Sequence, residues 1–349
     1  MPELYPLLFR PILKKVIWGG HRLQPYKGLA STDEPIGESW EVSAVPGSES
    51  IVANGAFAGQ TLPTVIGQCP KEILGEKVVE RYGAHLPLLM KLIDAEQDLS
   101  IQVHPNDEMA KREHGKYGKS EMWYVIDAKP GSFLYAGFKQ SITPYEYQKR
   151  VEDGTIVDVL ARHEVHSGDV FYLPAGRVHA ICGGILLAEV QQSSDITYRI
   201  FDYNRIGKDG KPRELHTELA AQALNYEVQD EYRTQYEKER DRANKILKCP
   251  YFSVRVTDVT SPFHRNLIKY DSFIITSCIQ GVCRIVSRVN GSEITLREGY
   301  STLIPAFIAD FDVIPQTSSC RLLDSFIDNK DLSLTSMVTR FLHFTYNGV

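Results

Sequence analysis

Short apolar runs separated by turn residues dominate the 349-residue chain. Residues 88–93, 99–103, 121–126, 132–137, 170–173, 185–190 and 196–201 each read as strand. From Tyr251 onward the pattern restarts, at 252–256, 272–279, 283–289, 293–296 and 301–304. Runs this short and this evenly spaced call for a β-sandwich or barrel. The 18 Tyr and 14 Phe suit strands, and the 18 Pro and 25 Gly supply the turns. Helical periodicity is confined to three places. In residues 217–224, Thr217 is the expected N-cap, and Leu219, Ala220, Ala223 and Leu224 form one apolar face. A second short helix is expected over 107–113, after Pro105, and a third around 63–82.

The two β sets are separated by residues 229–248, dense in alternating charge, which read as a solvated helix or linker. The expected organisation is therefore a unit over 1–228, a linker over 229–248 and a second β unit over 249–349, in line with the chain's length. A weak internal repeat relates the two units. Gly168, Pro174 and Ala175 recur with the same spacing as Gly299, Pro305 and Ala306. At this spacing Asp310 takes the position of His179, so the second unit is expected to lack a metal site.

Several classes of function are disfavoured. The net charge of −5 gives no basic face for nucleic acid. No apolar run approaches the ~20 residues of a membrane span. The start, Met1-Pro2-Glu3-Leu4, lacks the pattern of a signal peptide. The six cysteines, at 69, 182, 249, 278, 283 and 320, contain no C-x-x-C pair. Free thiols and a cytoplasmic location are the simplest expectation.

Three segments carry chemistry. In Gln102-Val103-His104, strand alternation puts the amide and the imidazole on one face; an exposed polar face is the plainer alternative. In Lys119-Ser120-Glu121-Met122-Trp123, the same alternation groups Lys119, Glu121 and Trp123. A carboxylate at the head of an apolar strand needs a cation, either Lys119 or a metal. In Gly168-Asp169-Val170-Phe171-Tyr172-Leu173-Pro174-Ala175-Gly176-Arg177-Val178-His179, a strand meets a tight turn and His179 opens the next strand.

The last segment matches the second signature of the cupin fold, a small β-barrel with a metal inside, at Gly168, Pro174, Gly176 and His179. The signature's downstream Asn is replaced by Gly183. The first signature is altered to Gln102-x-His104, with Glu121 farther along. These departures resemble the type I phosphomannose isomerases. Lys15-Val16-Ile17-Trp18-Gly19-Gly20, Ile36-Gly37-Glu38-Ser39-Trp40-Glu41, Leu89-Met90-Lys91-Leu92-Ile93 and Ser194-Asp195-Ile196-Thr197-Tyr198-Arg199 resemble further motifs of that family. The resemblance spans residues 8–228 and suits the family's short form.

The resemblance implies a mainly β fold of two cupin-like jelly-roll barrels with a few short helices. It implies Gln102, His104, Glu121 and His179 as ligands of one Zn²⁺ per chain. It implies Arg199, Glu189, Lys91, Lys119 and Asp195 as catalytic, and Trp18 and Glu38 as substrate-binding. Glu189 in an apolar strand has independent interest, because a lone carboxylate there needs a reason; a plain buried pair with Arg199 is the alternative. Trp18 could equally be a core aromatic, and Asp195 a turn or cap residue. The implied activity interconverts mannose 6-phosphate and fructose 6-phosphate through a cis-enediol, with a small sugar phosphate as partner. Where some members carry Tyr two residues after the last His ligand, this chain has Ile181. That keeps isomerisation of a related sugar open, beside a non-catalytic sugar-phosphate-binding cupin sensor. Arg205 and Lys208 are further candidates to reach a phosphate. His163 and His166 read as loop histidines.

Overall fold

A computed structural model of the chain describes residues 3–207 and 210–331. Two jelly-roll barrels are built from four antiparallel sheets, with few helices. In the first barrel, one sheet runs Val170–Leu173, Glu121–Ala128, Ile185–Gln192, Leu88–Ala95, Glu38–Val42 and Ile12–Lys14. The facing sheet runs Tyr198–Phe201, Ile101–Val103, His179–Ile181, Phe133–Phe138 and Leu160–Glu164. The second barrel repeats the order. Tyr300–Ile304, Ile274–Gln280, Cys320–Phe326 and Ser253–Val259 stand where the first four strands stood. Phe263–Asn266, Asp310–Pro315, Val282–Ser287 and Glu293–Arg297 form the facing sheet.

The larger sheets of the two barrels pack back to back. One apolar cluster joins Met90, Leu92, Met122 and Val190 of the first barrel to Val254, Ile275, Leu303 and Leu323 of the second. This explains why every residue of Leu88–Ala95 and of Ile185–Gln192 is buried. One face of each strand lines the barrel and the other meets the neighbouring barrel. The units are also interleaved in sequence. Leu7–Arg10 pairs with Tyr300–Ile304 and with Ile51–Val52, so the first strand of the chain lies in the second barrel's sheet. Residues 229–243 contain no helix, and Asn244–Lys248 is an edge strand of the second barrel.

The expected helices are found with changed bounds. Asp107–His114 is capped by the Asn106 side chain, which accepts from Met109 N. The 63–82 stretch is three helices, Leu62–Gln68, Pro70–Leu74 and Glu76–Tyr82. Helix Thr217–Ala223 has His216, not Thr217, as its N-cap residue, with no side-chain cap. Strands Asp310–Pro315 and Cys320–Phe326 and helix Pro144–Glu152 were not anticipated. That helix has a full sequence signal: Thr143 and Glu146 form a capping box, with Pro144 at the first turn. Among the described residues no helix is long and apolar enough to cross a membrane.

Candidate active site

Three strands of the first barrel bring four donors together. His179 lies directly opposite Gln102 in the ladder, so both side chains share the inner face. Glu121 heads its strand between Leu173 and Gln191. His104 follows the Ile101–Val103 strand by one residue. The result is a buried cluster in which the ligand atoms of His104, Glu121 and His179 all lie within 4.8 Å of one another. Glu121 Oε2 is 3.3 Å from His104 Nε2, and Oε1 is 3.2 Å from His179 Nε2. The Gln102 amide reaches 3.3 Å from His179 Nε2.

The other ring nitrogens are occupied. His104 Nδ1 donates to the Ile196 carbonyl at 2.9 Å, and His179 Nδ1 to the Arg177 carbonyl at 2.8 Å. Protons on Nδ1 leave both Nε2 lone pairs facing the cluster, the arrangement a metal-binding imidazole requires. Burial pushes His104 down to about 3, and Lys119 adds to that; burial also lowers His179. Both rings are thus neutral donors. Burial alone would raise Glu121, but the adjacent Lys119 charge leads the interactions that outweigh it and hold the carboxylate well below its usual range. Lys119 Nζ stands 2.8 Å from Glu121 Oε2, yet neither carboxylate oxygen has a well-formed hydrogen bond. Two neutral imidazoles, an ionised carboxylate with unsatisfied buried oxygens and an amide make a donor set that fits a divalent cation.

Beside the cluster lies a cleft of ≈ 200 Å³. Trp18, Glu38, Lys91, Gln102, Lys119, Glu189 and Arg199 all line it, as does Ile181. Glu189 is buried between two donors. Trp123 Nε1 donates to Oε2 at 2.9 Å, and Lys91 Nζ is 3.2 Å from Oε1. Burial and the Glu121 charge raise the Glu189 carboxyl above its ordinary value, against Lys91 and Lys119. Burial opposes the Lys91 ammonium, but Glu189, Glu38 and Glu121 outweigh it and raise Lys91. Arg199 sits opposite Gln102 in the ladder, next to the cluster. It does not pair with Glu189; its Nη1 donates to the Glu214 carbonyl. Trp40 Nε1 donates to Glu38 at 2.6 Å, which fixes that carboxylate at the rim.

Asp195 is placed elsewhere. It pairs with Lys116 at 2.7 Å in a neighbouring groove, with both side chains about half exposed. Ser194 and Ile196 are buried and Asp195 between them is exposed, where its carboxylate meets Lys116. Arg205 is held by Asp202 and the Asp98 carbonyl and does not line the cleft. Lys208 lies outside the described residues. His163 bonds the Ala136 carbonyl and packs on Phe171, and His166 is exposed. Sequence reasoning missed Arg213, which lines the cleft from a loop with no strand periodicity to reveal it.

The matching position in the second barrel also needs correction. Counting along the ladders, Phe311 faces Arg265 where His179 faces Gln102. Asp310 points outward and meets His264 Nε2 at 2.6 Å. The short helical turn Ala306–Ile308 shifts the repeat by one residue, and in a strand one residue reverses the face.

Comparison with known proteins gives a consistent picture. The model of the type I phosphomannose isomerase catalytic domain matches residues 7–131, and that of the mannose-6-phosphate isomerase cupin domain matches residues 242–327. The mannose-6-phosphate isomerase ManA of Bacillus subtilis is 35% identical over 310 residues, covering 88% of this chain and 95% of that one. The mannose-6-phosphate isomerase of Streptococcus mutans is 30% identical over 321 residues, covering 90% and 98%. A crystal structure of the mannose 6-phosphate isomerase from Bacillus subtilis aligns with a TM-score of 0.83 at 33% identity, over 92% of this chain and 99% of that one.

Proposed function

The chain belongs to the type I phosphomannose isomerase family of aldose–ketose isomerases, and on that premise we propose that it interconverts mannose 6-phosphate and fructose 6-phosphate with one bound Zn²⁺. The observation that carries this reading is the buried His104–Glu121–His179 cluster opening on the same cleft as Glu189 and Lys91. Gln102, His104, Glu121 and His179 would hold the ion, the Gln102 amide turning its oxygen inward. A cation held there supplies polarisation of the sugar's carbonyl and hydroxyl oxygens.

The chain's own residues would do the rest. Glu189 takes the proton from C2 of the open-chain aldose. The C2–H electron pair becomes the C1–C2 double bond, and the carbonyl electrons move to O1. Glu189 then returns the proton to C1, while the O2 hydroxyl proton passes to O1 and leaves a ketone at C2. A carboxyl raised above its ordinary value serves as both base and acid in such a shuttle. Lys91 and Trp123 keep Glu189 in one orientation. Arg199, half-buried beside Gln102, faces the oxygen on which charge develops. Trp18 and Ile181 give the cleft an apolar wall, and Glu38 and Lys119 offer partners to sugar hydroxyls.

The test is turnover of mannose 6-phosphate with and without chelator, followed by zinc add-back. Loss with chelator and recovery with zinc is expected. Folded, zinc-loaded protein without turnover would overturn the assignment. In the Arg199→Ala variant, zinc content should hold while turnover falls by on the order of 10²–10³-fold; near-normal turnover would remove Arg199 from the chemistry.

A further inference from the structure

Arg213 and the buried carboxylate behind it form an arrangement that the isomerisation chemistry leaves unexplained. Strand Tyr198–Phe201 is followed directly by Asp202, which is 4% exposed. Tyr203 and Asn204 both follow with a left-handed φ of 54°. Two non-glycine residues in that region in succession make a sharp, strained reversal. The reversal brings two arginines onto one carboxylate. Arg213 Nε donates to Asp202 Oδ2 at 2.7 Å while its Nη2 engages Oδ1, a two-point fork. Arg205 engages Oδ1 from the other side and is further tied to the Asp98 carbonyl.

The fork uses the Nε–Nη2 edge of Arg213 and leaves Nη1 without a hydrogen bond among the described residues, in a side chain that lines the cleft. Arg199 stands alongside; burial, and next the Arg213 charge, lower its affinity for a proton. Arg199, Arg205 and Arg213 are three cations. Asp202 is the one carboxylate in ion-pair contact with them among the described residues, so 3 − 1 leaves two positive charges in excess. Arg199 and Arg213 line the cleft and Arg205 stands behind them on Asp202; like charges this close repel one another unless an anion joins them. The order along the wall is also informative. Arg199 lies opposite Gln102 in the ladder, beside the donor cluster, and Arg213 is 27% exposed at the rim.

We propose that Arg213 is the residue that selects a phosphorylated over a free sugar, and that Asp202 is the positioning residue that aims it. The proposal rests on the reading above that a sugar phosphate enters this cleft. The phosphate takes the free edge of Arg213 at the rim, and C1 and C2 reach inward to Glu189 and the His104–Glu121–His179 cluster. A lysine at 213 could not be gripped at two points by Asp202 and would lose its aim.

Arg213→Gln, Arg213→Lys and Asp202→Asn test this in the full chain, with KM and kcat for mannose 6-phosphate and calorimetric binding of inorganic phosphate. Arg213→Gln should raise KM by on the order of 10–100-fold with little change in kcat, the loss expected for one charged hydrogen-bonding group. Phosphate affinity should fall by a similar factor. Arg213→Lys should recover little, and Asp202→Asn should raise KM less, roughly tenfold. Wild-type KM and phosphate affinity in Arg213→Gln would overturn the proposal, as would a fall in kcat at unchanged KM. If Asp202→Asn does not fold, Arg213→Gln decides alone, since its side chain is at the rim. Phosphate binding that depends on Arg213, in a protein that isomerises no sugar phosphate, would sink the reaction and keep the anion site. Turnover indifferent to Arg213→Gln would do the reverse.

Discussion

The two barrels share a strand order and differ in what they enclose. At the four positions where the first barrel has Gln102, His104, Glu121 and His179, the ladder registers of the second put Arg265, Leu267, Ile274 and Phe311. Glu189 corresponds to Asp324, and Trp123 to Thr276. The carboxylate is thus present in both interiors, with a donor in the same place. Trp123 Nε1 bonds Glu189, and Thr276 Oγ1 bonds Asp324 at 2.8 Å. In the second barrel Arg265 neutralises Asp324 from within, and apolar side chains fill the remaining space. In the first, Glu121 faces two neutral imidazoles, and its oxygens lack hydrogen bonds. One fold therefore supports either a closed core or an open donor set, and four side chains decide which. The connections differ too. Residues 104–120 and 139–159 carry helices around the first barrel, where the second has short turns.

The contrast predicts effects of very different size. Glu121→Gln should lower turnover by on the order of 10³-fold or more and abolish zinc retention. Its counterpart, Ile274→Val, should leave turnover alone and cost about 1 kcal/mol of stability. Zinc measured at two equivalents per chain would end the distinction between the barrels.

Next in size is the buried pair of the second barrel. Arg265→Met alone leaves Asp324 charged and unpaired, at a cost of about 3–5 kcal/mol in urea unfolding. Adding Asp324→Leu should restore most of that loss, because two apolar residues replace two desolvated charges. A double variant worse than the single would show that the pair does more than fill the interior.

Acid should distinguish the barrels in metal-free protein. His104 titrates near 3 when folded and near 6.5 when unfolded, so the unfolded chain binds the extra proton between those values. Stability from this group is full above about 6.5 and is lost as the pH falls towards 3, at about 1.4 kcal/mol per pH unit per proton. The counterpart Leu267 contributes nothing of the kind. His104→Leu should flatten the acid limb of the metal-free protein by up to one proton; an unchanged slope would mean that the ring is already charged when folded.

The smallest effect belongs to a helix in a first-barrel connection where the second barrel has a short turn. Thr143→Ala removes the cap of Pro144–Glu152 and should cost about 1 kcal/mol without changing turnover. A change in kcat would tie that helix to the cleft.

Local patterns in the chain were enough to recognise most of the central strands, the restart at Tyr251, the shared face of Gln102 and His104 and the grouping of Lys119, Glu121 and Trp123. Strand alternation and turn chemistry are set within a few residues. The same holds for the anomaly at Glu189, since one carboxylate in an apolar run is visible without a fold. Helix Pro144–Glu152 was equally legible from Thr143, Pro144 and Glu146. Other features depended on contacts between residues far apart. Whether position 310 or 311 matches His179 turned on a one-residue shift in a turn, which reverses a strand's faces and shows only in the ladder. Asp195 meets Lys116, 79 residues earlier, on the outside of the cleft. Arg213 reached the cleft because Asp202 gripped it across a strained reversal. The insertion of Leu7–Arg10 into the second barrel's sheet likewise depends on a strand nearly 300 residues away. Periodicity is a property of neighbours in sequence; charge pairing and sheet register are properties of neighbours in space, and those exist only once the chain has folded.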